Sequence, residues 1–540
     1  MTGDFASFML VAPLLVVAFG GLAMMLADAF AKERAELSIV SAVILLAAAA
    51  ISLGLWFNPV SATGENAELF TAYLASDRLA HFLDLVICGG AALAALLAGG
   101  YLREYGLERG EFYVILLFSA FGAMALGRAT DLLSLFVALE TMSLGIYGLV
   151  AFRRSSPKAA EGALKYFLLG SFASAVLLFG MSLLYGATGH TNLTEIAAVV
   201  TAGNAEPNIL LLSMLLLVVG LAFKVSAVPF HAWAPDAYEG AVTPVTTYMA
   251  VVVKAAVFGV MIRVFLEALG DETVANADSG WPPAFAGLAA ITLVFGNLAA
   301  LIQKSIKRML AYSSISHAGF MLLGLVAAWK TDSGVGLSAL LYYLAAYTVS
   351  NVLAFASLIL VGSRGKEAVS YDDLAGVGRR HPWVGVPMAL GVLSLMGFPP
   401  LAGFFGKYYV ILAAVEGGGG LVWLSVLAVI FSAVGAYYYL RVLVVMYMKE
   451  PEEGAPIAVP MRSGHVTAVI VIASYFVVRM GLTPEDYLAL VSQVADPTQA
   501  VEWTTFLYDA GIALVAGGVA GALATMGGGS RDESAAESAA

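Results

Sequence analysis

The chain has 540 residues, 60% of them hydrophobic and 12% charged, with a formal net charge of −11 at pH 7 and a mean hydropathy of +0.88. That apolarity excludes a soluble globular protein and marks a polytopic membrane protein; the acidity falls in loops and in the tail RDESAAESAA, and no basic patch suits nucleic acid. The single cysteine, Cys88, excludes an intramolecular disulfide and a thiolate metal cluster.

No charged segment with a cleavage motif precedes the first apolar window, which is therefore expected to be a retained helix. Windows of membrane-spanning length predict an all-α chain with spans at 7–30, 37–57, 79–101, 112–128, 131–152, 160–186, 208–232, 244–268, 283–303, 307–329, 335–362, 384–416, 421–447 and 464–480. Prolines interrupt two of these fourteen, 208–232 and 384–416. Beyond Pro484, residues 482–495 read as an interfacial helix, and 505–526 is apolar and glycine-rich, so a fifteenth span stays open. Alternate loops place sixteen Lys and Arg on one side (Lys32, Arg34, Arg103, Arg109, Arg153, Arg154, Lys158, Lys304, Lys307, Arg308, Arg364, Lys366, Arg379, Arg380, Lys449, Arg462) and four on the other (Arg78, Arg128, Lys330, Arg479). Basic residues concentrate in cytoplasmic loops, so the N-terminus is expected on the non-cytoplasmic side. The interrupted spans lie five apart, which suggests two five-helix repeats, inverted because each holds an odd number of spans. The expected organisation is helices 1 to 3 in residues 1–111, a first repeat in 112–268, its inverted counterpart in 283–447, helix 14 in 464–480 and an extension in 481–540.

Ionisable residues inside a membrane are functional candidates by default. Glu140 lies mid-span in SLFVALETMSLGIYGLV, about nine residues from Asp131. Lys165, in EGALKYFLLGS, is near enough to a span end to snorkel, so a purely interfacial role stays open. Lys224 closes the apolar run before Pro229, whose ring and missing N–H disrupt the helix at Val225. His231 follows seven residues later, a shared helix face that Pro229 interrupts; relay and simple hydrogen bonding both remain open. Lys254 sits about ten residues from either end of its span, too deep to snorkel. His317 accompanies Tyr312, Ser313, Ser314 and Ser316 in a polar stripe that suits either hydration or packing. Lys407 follows Pro399 and Pro400, which free the carbonyls of Leu395 and Met396 from helical bonding. Titratable groups recurring from span five to span twelve describe a proton relay better than a substrate pocket; the Gly417–Gly420 run has no P-loop context for phosphate.

Four strings, EGALKYFLLGSFASAVLLFG (161–180), FKVSAVPFHAWAPDAYEG (223–240), KRMLAYSSISHAGF (307–320) and GFPPLAGFFGKYYV (397–410), carry a resemblance to the antiporter-like membrane subunits of respiratory complex I, most closely the N type. The resemblance implies a fourteen-helix core with inverted five-helix repeats and a hydrated mid-membrane axis. Residue by residue, it implies a Glu140–Lys224 pair, Lys254 as the connecting group and Lys407 as the second broken-helix residue. A lysine at Lys407 is similar to the N or L type, and Lys165 to the N type. The A-P-T-P of the family after its E-G pair reads Ala241, Val242, Thr243, Pro244 here, with one proline lost.

The implied function is proton translocation in the bacterial plasma membrane within an NADH:quinone oxidoreductase. Flavin, iron–sulfur clusters and quinone would reside in partner subunits, and neighbouring antiporter-like subunits and the lipid bilayer would flank this chain. Changing the Glu140–Lys224 separation would drive a proton by Lys254 and His317 toward Lys407. The alternatives are a subunit of a multisubunit Na⁺(K⁺)/H⁺ antiporter, with the same repeat and charges, and an assembly scaffold whose ion pairs fix helix register.

Overall fold

A computed structural model describes residues 2–30, 36–60, 70–272, 274–276, 279–331, 334–362, 367, 369–418, 420–451, 460–496 and 503–526. Lys32, Arg34, Arg364, Lys366 and the acidic tail with Arg531 lie outside the described residues. The helices in chain order are α1 Thr2–Phe30, α2 Leu37–Phe57, α3 Arg78–Glu104, α4 Gly110–Arg128, α5 Leu132–Val150, α6 Pro157–Thr188, α7 Leu193–Thr201, α8 Pro207–Lys224, α9 Ala234–Gly240, α10 Thr243–Ala268, α11 Trp281–Leu301, α12 Ile306–Lys330, α13 Val335–Val361, α14 Pro382–Met396, α15 Ala402–Glu416, α16 Val422–Met448, α17 Gly464–Leu482, α18 Pro484–Ala495 and α19 Trp503–Met526.

Local chemistry sets many helix starts. Asp77 caps α3 by accepting from Ala80 N at 2.8 Å, and Asp131 caps α5 by accepting from Leu133 N at 2.8 Å. Ser156 before Pro157 opens α6, and Glu206 before Pro207 opens α8, each proline standing where a free N–H has no helical partner. Helix α7 was not expected from the sequence: its nine residues are too few for a span, and Leu193, Ile196 and Val200 turn one face inward.

Among the described residues fourteen helices are long and apolar enough to cross a membrane, and one of them is Phe506–Thr525. With the half-helices α14 and α15 taken as one crossing, the described residues offer fifteen candidate spans by length and composition, the 505–526 segment among them. Helix α19 lies against α17 where glycines let the backbones approach: a Cβ on Gly521 would come within 2.7 Å of the Gly464 carbonyl oxygen. Asp509 anchors it, accepting from Tyr475 Oη at 2.7 Å, Arg479 Nε at 3.1 Å and Tyr487 Oη at 2.8 Å.

The innermost helices are α10 and α12, each with 94% of its apolar window buried, and α13 with 89%. Two of these carry Lys254 and His317. Helix α10 contains π-helical turns at Met249–Val253, immediately before Lys254, and at Ile262–Ala268. Such turns shift side-chain register and are frequent at functional sites.

Both interruptions occur where proline removes a helical hydrogen bond. Helix α8 stops at Lys224, and Ser226 adopts φ 60°, the left-handed region that non-glycine residues seldom occupy. The opened backbone is satisfied locally: Trp233 Nε1 donates to the Phe223 carbonyl at 3.1 Å, and Val228 N donates to Thr292 Oγ1 at 3.0 Å. Helix α14 stops at Met396, with Gly397 at φ 90° as its C-cap. Gly403 N, at the start of α15, donates to Ser394 Oγ across the break at 3.0 Å.

Candidate functional site

The first group of charges, a buried lysine and a partly exposed glutamate, forms where α5, α6 and α8 meet. Glu140, eight residues into α5, accepts from Ser174 Oγ of α6 at 2.5 Å and faces Lys224 Nζ at 4.0 Å. Lys224 is 2% exposed; its Nζ donates to Ser143 Oγ at 2.9 Å and to Tyr147 Oη at 3.4 Å. Glu140, Ser143 and Tyr147 share one α5 face because they are three and four residues apart. This end of the helix break therefore offers a lysine one carboxylate at the limit of ion-pair range and two hydroxyls.

The second group centres on Lys254, eleven residues into α10 and 2% exposed. Its Nζ donates to the Ser314 carbonyl, to Ser314 Oγ at 2.6 Å and to Tyr347 Oη at 3.2 Å, and lies 4.9 Å from the centroid of the Tyr347 ring. Ser314 Oγ also meets Tyr347 Oη at 2.8 Å and Tyr238 Oη at 3.3 Å. One turn along α12, His317 bonds Tyr343 Oη through Nδ1 at 2.6 Å and Tyr439 Oη through Nε2 at 3.1 Å. Tyr439 Oη also bonds Ser313 Oγ. Beside His317, Tyr343, Tyr347, Ser350 and Ser394 line a cavity of about 10 Å³, room for about one water.

The third group is at the second break. Lys407 Nζ donates to the Met396 carbonyl at 2.9 Å and to Ser432 Oγ at 3.2 Å, and lies 5.0 Å from the Phe320 ring centroid. Met396 is one of the two carbonyls that the paired prolines free. Phe320 stacks on Tyr343 with centroids 6.1 Å apart, so the Lys254, His317 and Lys407 groups form one contiguous region. The Lys224 group is set apart by aromatic packing: Tyr147 meets Tyr166 edge-on at 4.7 Å, and Tyr166 stacks at 4.0 Å on Trp233, which opens the helix carrying Tyr238.

Glu140 and Lys224 thus form one group and Lys254, His317 and Lys407 another, whereas the other two candidates stand aside. Lys165 is half-exposed and pairs with Glu161 at 2.6 Å and Asp236 at 2.7 Å. It belongs to a surface network in which Arg308 bridges Asp236 at 2.6 Å and Glu239 at 3.0 Å, and Lys158 meets Glu239 at 3.0 Å. Burial pushes the Asp236 carboxyl up, but the hydrogen bonds and charges of Lys165 and Arg308 more than offset it and hold the group below the usual aspartate range. His231 lies in the non-helical stretch after Ser226, so it shares no helix face with Lys224; its ring packs edge-on against Phe295 at 4.6 Å, and among the described residues its Nδ1 finds no side-chain hydrogen-bond partner.

Sequence reasoning missed the hydroxyl shell of Ser143, Ser174, Tyr147, Tyr343, Tyr347, Tyr439 and Ser432. The spacing of Ser143 and Tyr147 from Glu140 could have found two of them; the rest come from other helices. It also placed Arg128 in a loop, whereas this residue is 1% exposed. Arg128 pairs with Asp84, which also accepts from Ser52 Oγ, and donates to the Leu10 carbonyl at 3.2 Å. The cause is chain geometry: α4 continues to Arg128, and the connection to α5 turns back within Ala129–Asp131, whose first and last residues are buried. Arg263 is likewise compensated, by Asp77 at 2.8 Å and Glu267 at 3.4 Å. The axial lysines differ. Among the described residues Lys254 and Lys407 have hydroxyl, carbonyl and aromatic neighbours and no carboxylate within ion-pair distance, and Lys224 has Glu140 at 4.0 Å. Also among the described residues, no three His, Cys, Asp or Glu side chains converge to hold a metal ion.

Residues 129–435 match the family described as "NADH:quinone oxidoreductase/Mrp antiporter, TM". The chain is 51% identical over 498 residues to NADH-quinone oxidoreductase subunit N 1 of Sorangium cellulosum, covering 89% of this chain and 97% of that one. It is 39% identical over 468 residues to subunit N of Nitrosomonas europaea, covering 86% and 93%. Among solved structures, a chain of respiratory complex I from Thermus thermophilus with bound aureothin superposes with a TM-score of 0.73 at 35% identity, covering 89% of this chain and 99% of that chain. A chain of the Mrp complex from Dietzia sp. shares the fold, with a TM-score of 0.77 at 22% identity over 91% and 98% of the two chains.

Proposed function

The chain belongs to the NADH:quinone oxidoreductase/Mrp antiporter membrane family, within it to the N subunits of NADH-quinone oxidoreductase, and from that premise we propose that Glu140, Lys224, Lys254, His317 and Lys407 carry the protons it translocates. It is a membrane subunit of a proton-translocating NADH-quinone oxidoreductase, assembled with other membrane subunits of that complex. The multisubunit cation antiporter reading retains support from fold likeness alone.

The observation that carries the proposal is the contrast between compensated arginines and uncompensated lysines. Arg128 and Arg263 are held by carboxylates, remain charged and fix helices. A buried lysine whose partners are hydroxyls and carbonyls keeps those partners in either protonation state, so it can exchange a proton without unmaking the fold. At Lys224 the control is electrostatic. Loss of a close opposite charge changes proton affinity by about one to three pKa units, or about 1.4 to 4 kcal/mol. Moving one charge across 100 mV takes about 2.3 kcal/mol. A change in the 4.0 Å Glu140–Lys224 separation is therefore large enough to gate a proton step.

Further parts of the reading rest on the basic-residue distribution, the two helix breaks and the family. The N-terminus lies on the non-cytoplasmic side of the bacterial inner membrane, and by parity Met526 lies on the cytoplasmic side. Residues 112–268 and 283–447 are the inverted repeats. Flavin, iron–sulfur clusters and quinone belong to partner subunits, and antiporter-like subunits adjoin this one. Lys165 acts with Asp236, Arg308 and Glu239 at the cytoplasmic surface, and His231 is a packing residue. The test is Lys224→Ala in the assembled complex: the proton-to-electron ratio falls, and an unchanged ratio with normal turnover would sink the proposal.

A further inference from the structure

Lys307, at the start of α12, is fully buried, yet the line of charges leaves it out. Its Nζ donates to the carbonyl of Ala241, in the turn between α9 and α10, at 2.7 Å and lies 3.3 Å from Glu367 Oε1. The same carboxylate oxygen accepts from the hydroxyl of Thr243, the first residue of α10. Glu367 belongs to the connection between α13 and α14, so a side chain from the second half of the molecule reaches the helix that carries Lys254.

Glu367 is also a wall of a cavity of about 150 Å³, room for several waters. Tyr101 of α3 forms another wall; it is 1% exposed, and its Oη makes no hydrogen bond of normal geometry among the described residues. A buried hydroxyl without a partner beside a cavity is where water or a small polar solute belongs. Arg153, Lys158 and Glu239 supply the charges of the remaining wall. Of the two carboxylates, Glu239 is held by two cations, Lys158 and Arg308, each at 3.0 Å, whereas among the described residues Glu367 has Lys307 alone. Polar groups continue inward. Lys307 and Ser314 stand seven residues apart on one face of α12, about 10 Å by helical rise, and Ser314 holds Lys254. Helix α10 opens with buried hydroxyls at Thr243, Thr246 and Thr247, and Tyr238, next to Glu239, meets Ser314 Oγ at 3.3 Å.

We propose that Glu367 is the group through which protons enter this subunit: its carboxylate takes a proton from water in the cavity and yields it inward, toward Ser314 and Lys254. Lys307 is its positioning residue. Because Lys307 also holds the Ala241 carbonyl, movement of the chain after the first helix break changes its grip on Glu367. The inference rests on the proton-carrying role given above to Lys254, and on the orientation proposed above the cavity lies at the cytoplasmic end.

The test uses the whole complex in proteoliposomes, with the charge moved per electron read from a voltage-sensitive dye. Glu367→Gln keeps an oxygen for Thr243 and Lys307 but carries no exchangeable acid proton. Removing a positioned proton carrier slows transfer by at least about a hundredfold, so this subunit's share of the charge per electron is lost. Formate restores that share, because formic acid fits the cavity, delivers a proton where the carboxyl stood and, crossing the bilayer uncharged, does not discharge the voltage. Formate leaves Lys224→Ala unrescued. Unchanged charge per electron in Glu367→Gln overturns the inference; a loss that formate does not reverse also overturns it and makes Glu367 a cap of α10. Normal charge movement in Lys224→Ala would instead sink the relay itself, so the two failures are told apart. If Glu367→Gln does not assemble, Arg153→Cys decides. A bulky thiol reagent there plugs the cavity and removes the same share relative to equally treated wild type, in which the single cysteine of this chain is buried; complete labelling without loss overturns the inference.

Discussion

Replacing Lys254 by methionine separates a relay from a scaffold. Methionine keeps an unbranched side chain of similar length and removes the ammonium group. The groups left behind stay satisfied: Ser314 Oγ retains Tyr347 at 2.8 Å and Tyr238 at 3.3 Å, and the Ser314 carbonyl lies within helix α12. No buried polar atom is orphaned, and removing a buried charge that lacks a carboxylate is close to neutral, so stability is expected to change by less than about 2 kcal/mol. A positioned proton donor and acceptor contributes about 10² to 10⁴ in rate, so proton movement through this subunit should fall by at least about a hundredfold. The assay is NADH-driven acidification of proteoliposomes holding the assembled complex, measured with quinone reduction and the melting temperature of the same preparation. Lys254→Arg sharpens the result: a guanidinium keeps the charge and several donors but does not release its proton, so it should fail as a relay while serving as a scaffold. Normal acidification per electron in Lys254→Met, or full rescue by Lys254→Arg, would refute the reasoning.

Arg128→Met should behave in the opposite way, because it strands the fully buried Asp84 carboxylate; a loss of about 3 to 5 kcal/mol would appear as poor assembly, with any surviving complex keeping its proton-to-electron ratio. Gly397→Ala forces a side chain into φ 90° and brings its Cβ within 3.1 Å of Lys407 Cδ, so about 1 to 2 kcal/mol of stability and a larger share of pumping should be lost. Asp236→Asn should lower thermal stability at neutral pH. Because the folded-state value of Asp236 is depressed, its contribution is present above the unfolded value near 3.8 and is lost as pH falls through the folded value; the gap between variant and wild type should therefore close in acid.

Much of the axis was legible because a lysine in an apolar window is improbable without a reason. Lys224, Lys254 and Lys407 stood out on that ground, and Pro229, Pro399 and Pro400 marked both breaks by removing donors. The Met396 carbonyl, freed on paper by Pro400, is where Lys407 donates. What stayed hidden depends on which helices touch. Nothing near Lys254 in sequence announces Ser314 or Tyr347, sixty and ninety-three residues away. The facing of Lys165 was not legible because hydropathy windows register length rather than direction, and its partner Asp236 comes from the short helix α9 after the first break. Arg128 misled because the three-residue connection after it looks like a loop in sequence, whereas the arginine itself ends α4 and is buried. The last helix could be settled only by its neighbours: Asp509 weakened the reading of 505–526 as a span, yet Arg479, Tyr475 and Tyr487 meet it.

The aromatic packing between the Lys224 and Lys254 groups bears on energy conservation. A respiratory membrane must hold its voltage when no electrons flow, and an uninterrupted wire of titratable groups would discharge it. Tyr166, stacked at 4.0 Å on Trp233 and met edge-on by Tyr147, places rings where a hydrogen-bonded wire would otherwise continue. If protons follow the proposed route, those rings would insulate the subunit at rest, and conduction would require the side chains around the first helix break to move, tying each proton passed to a conformational event.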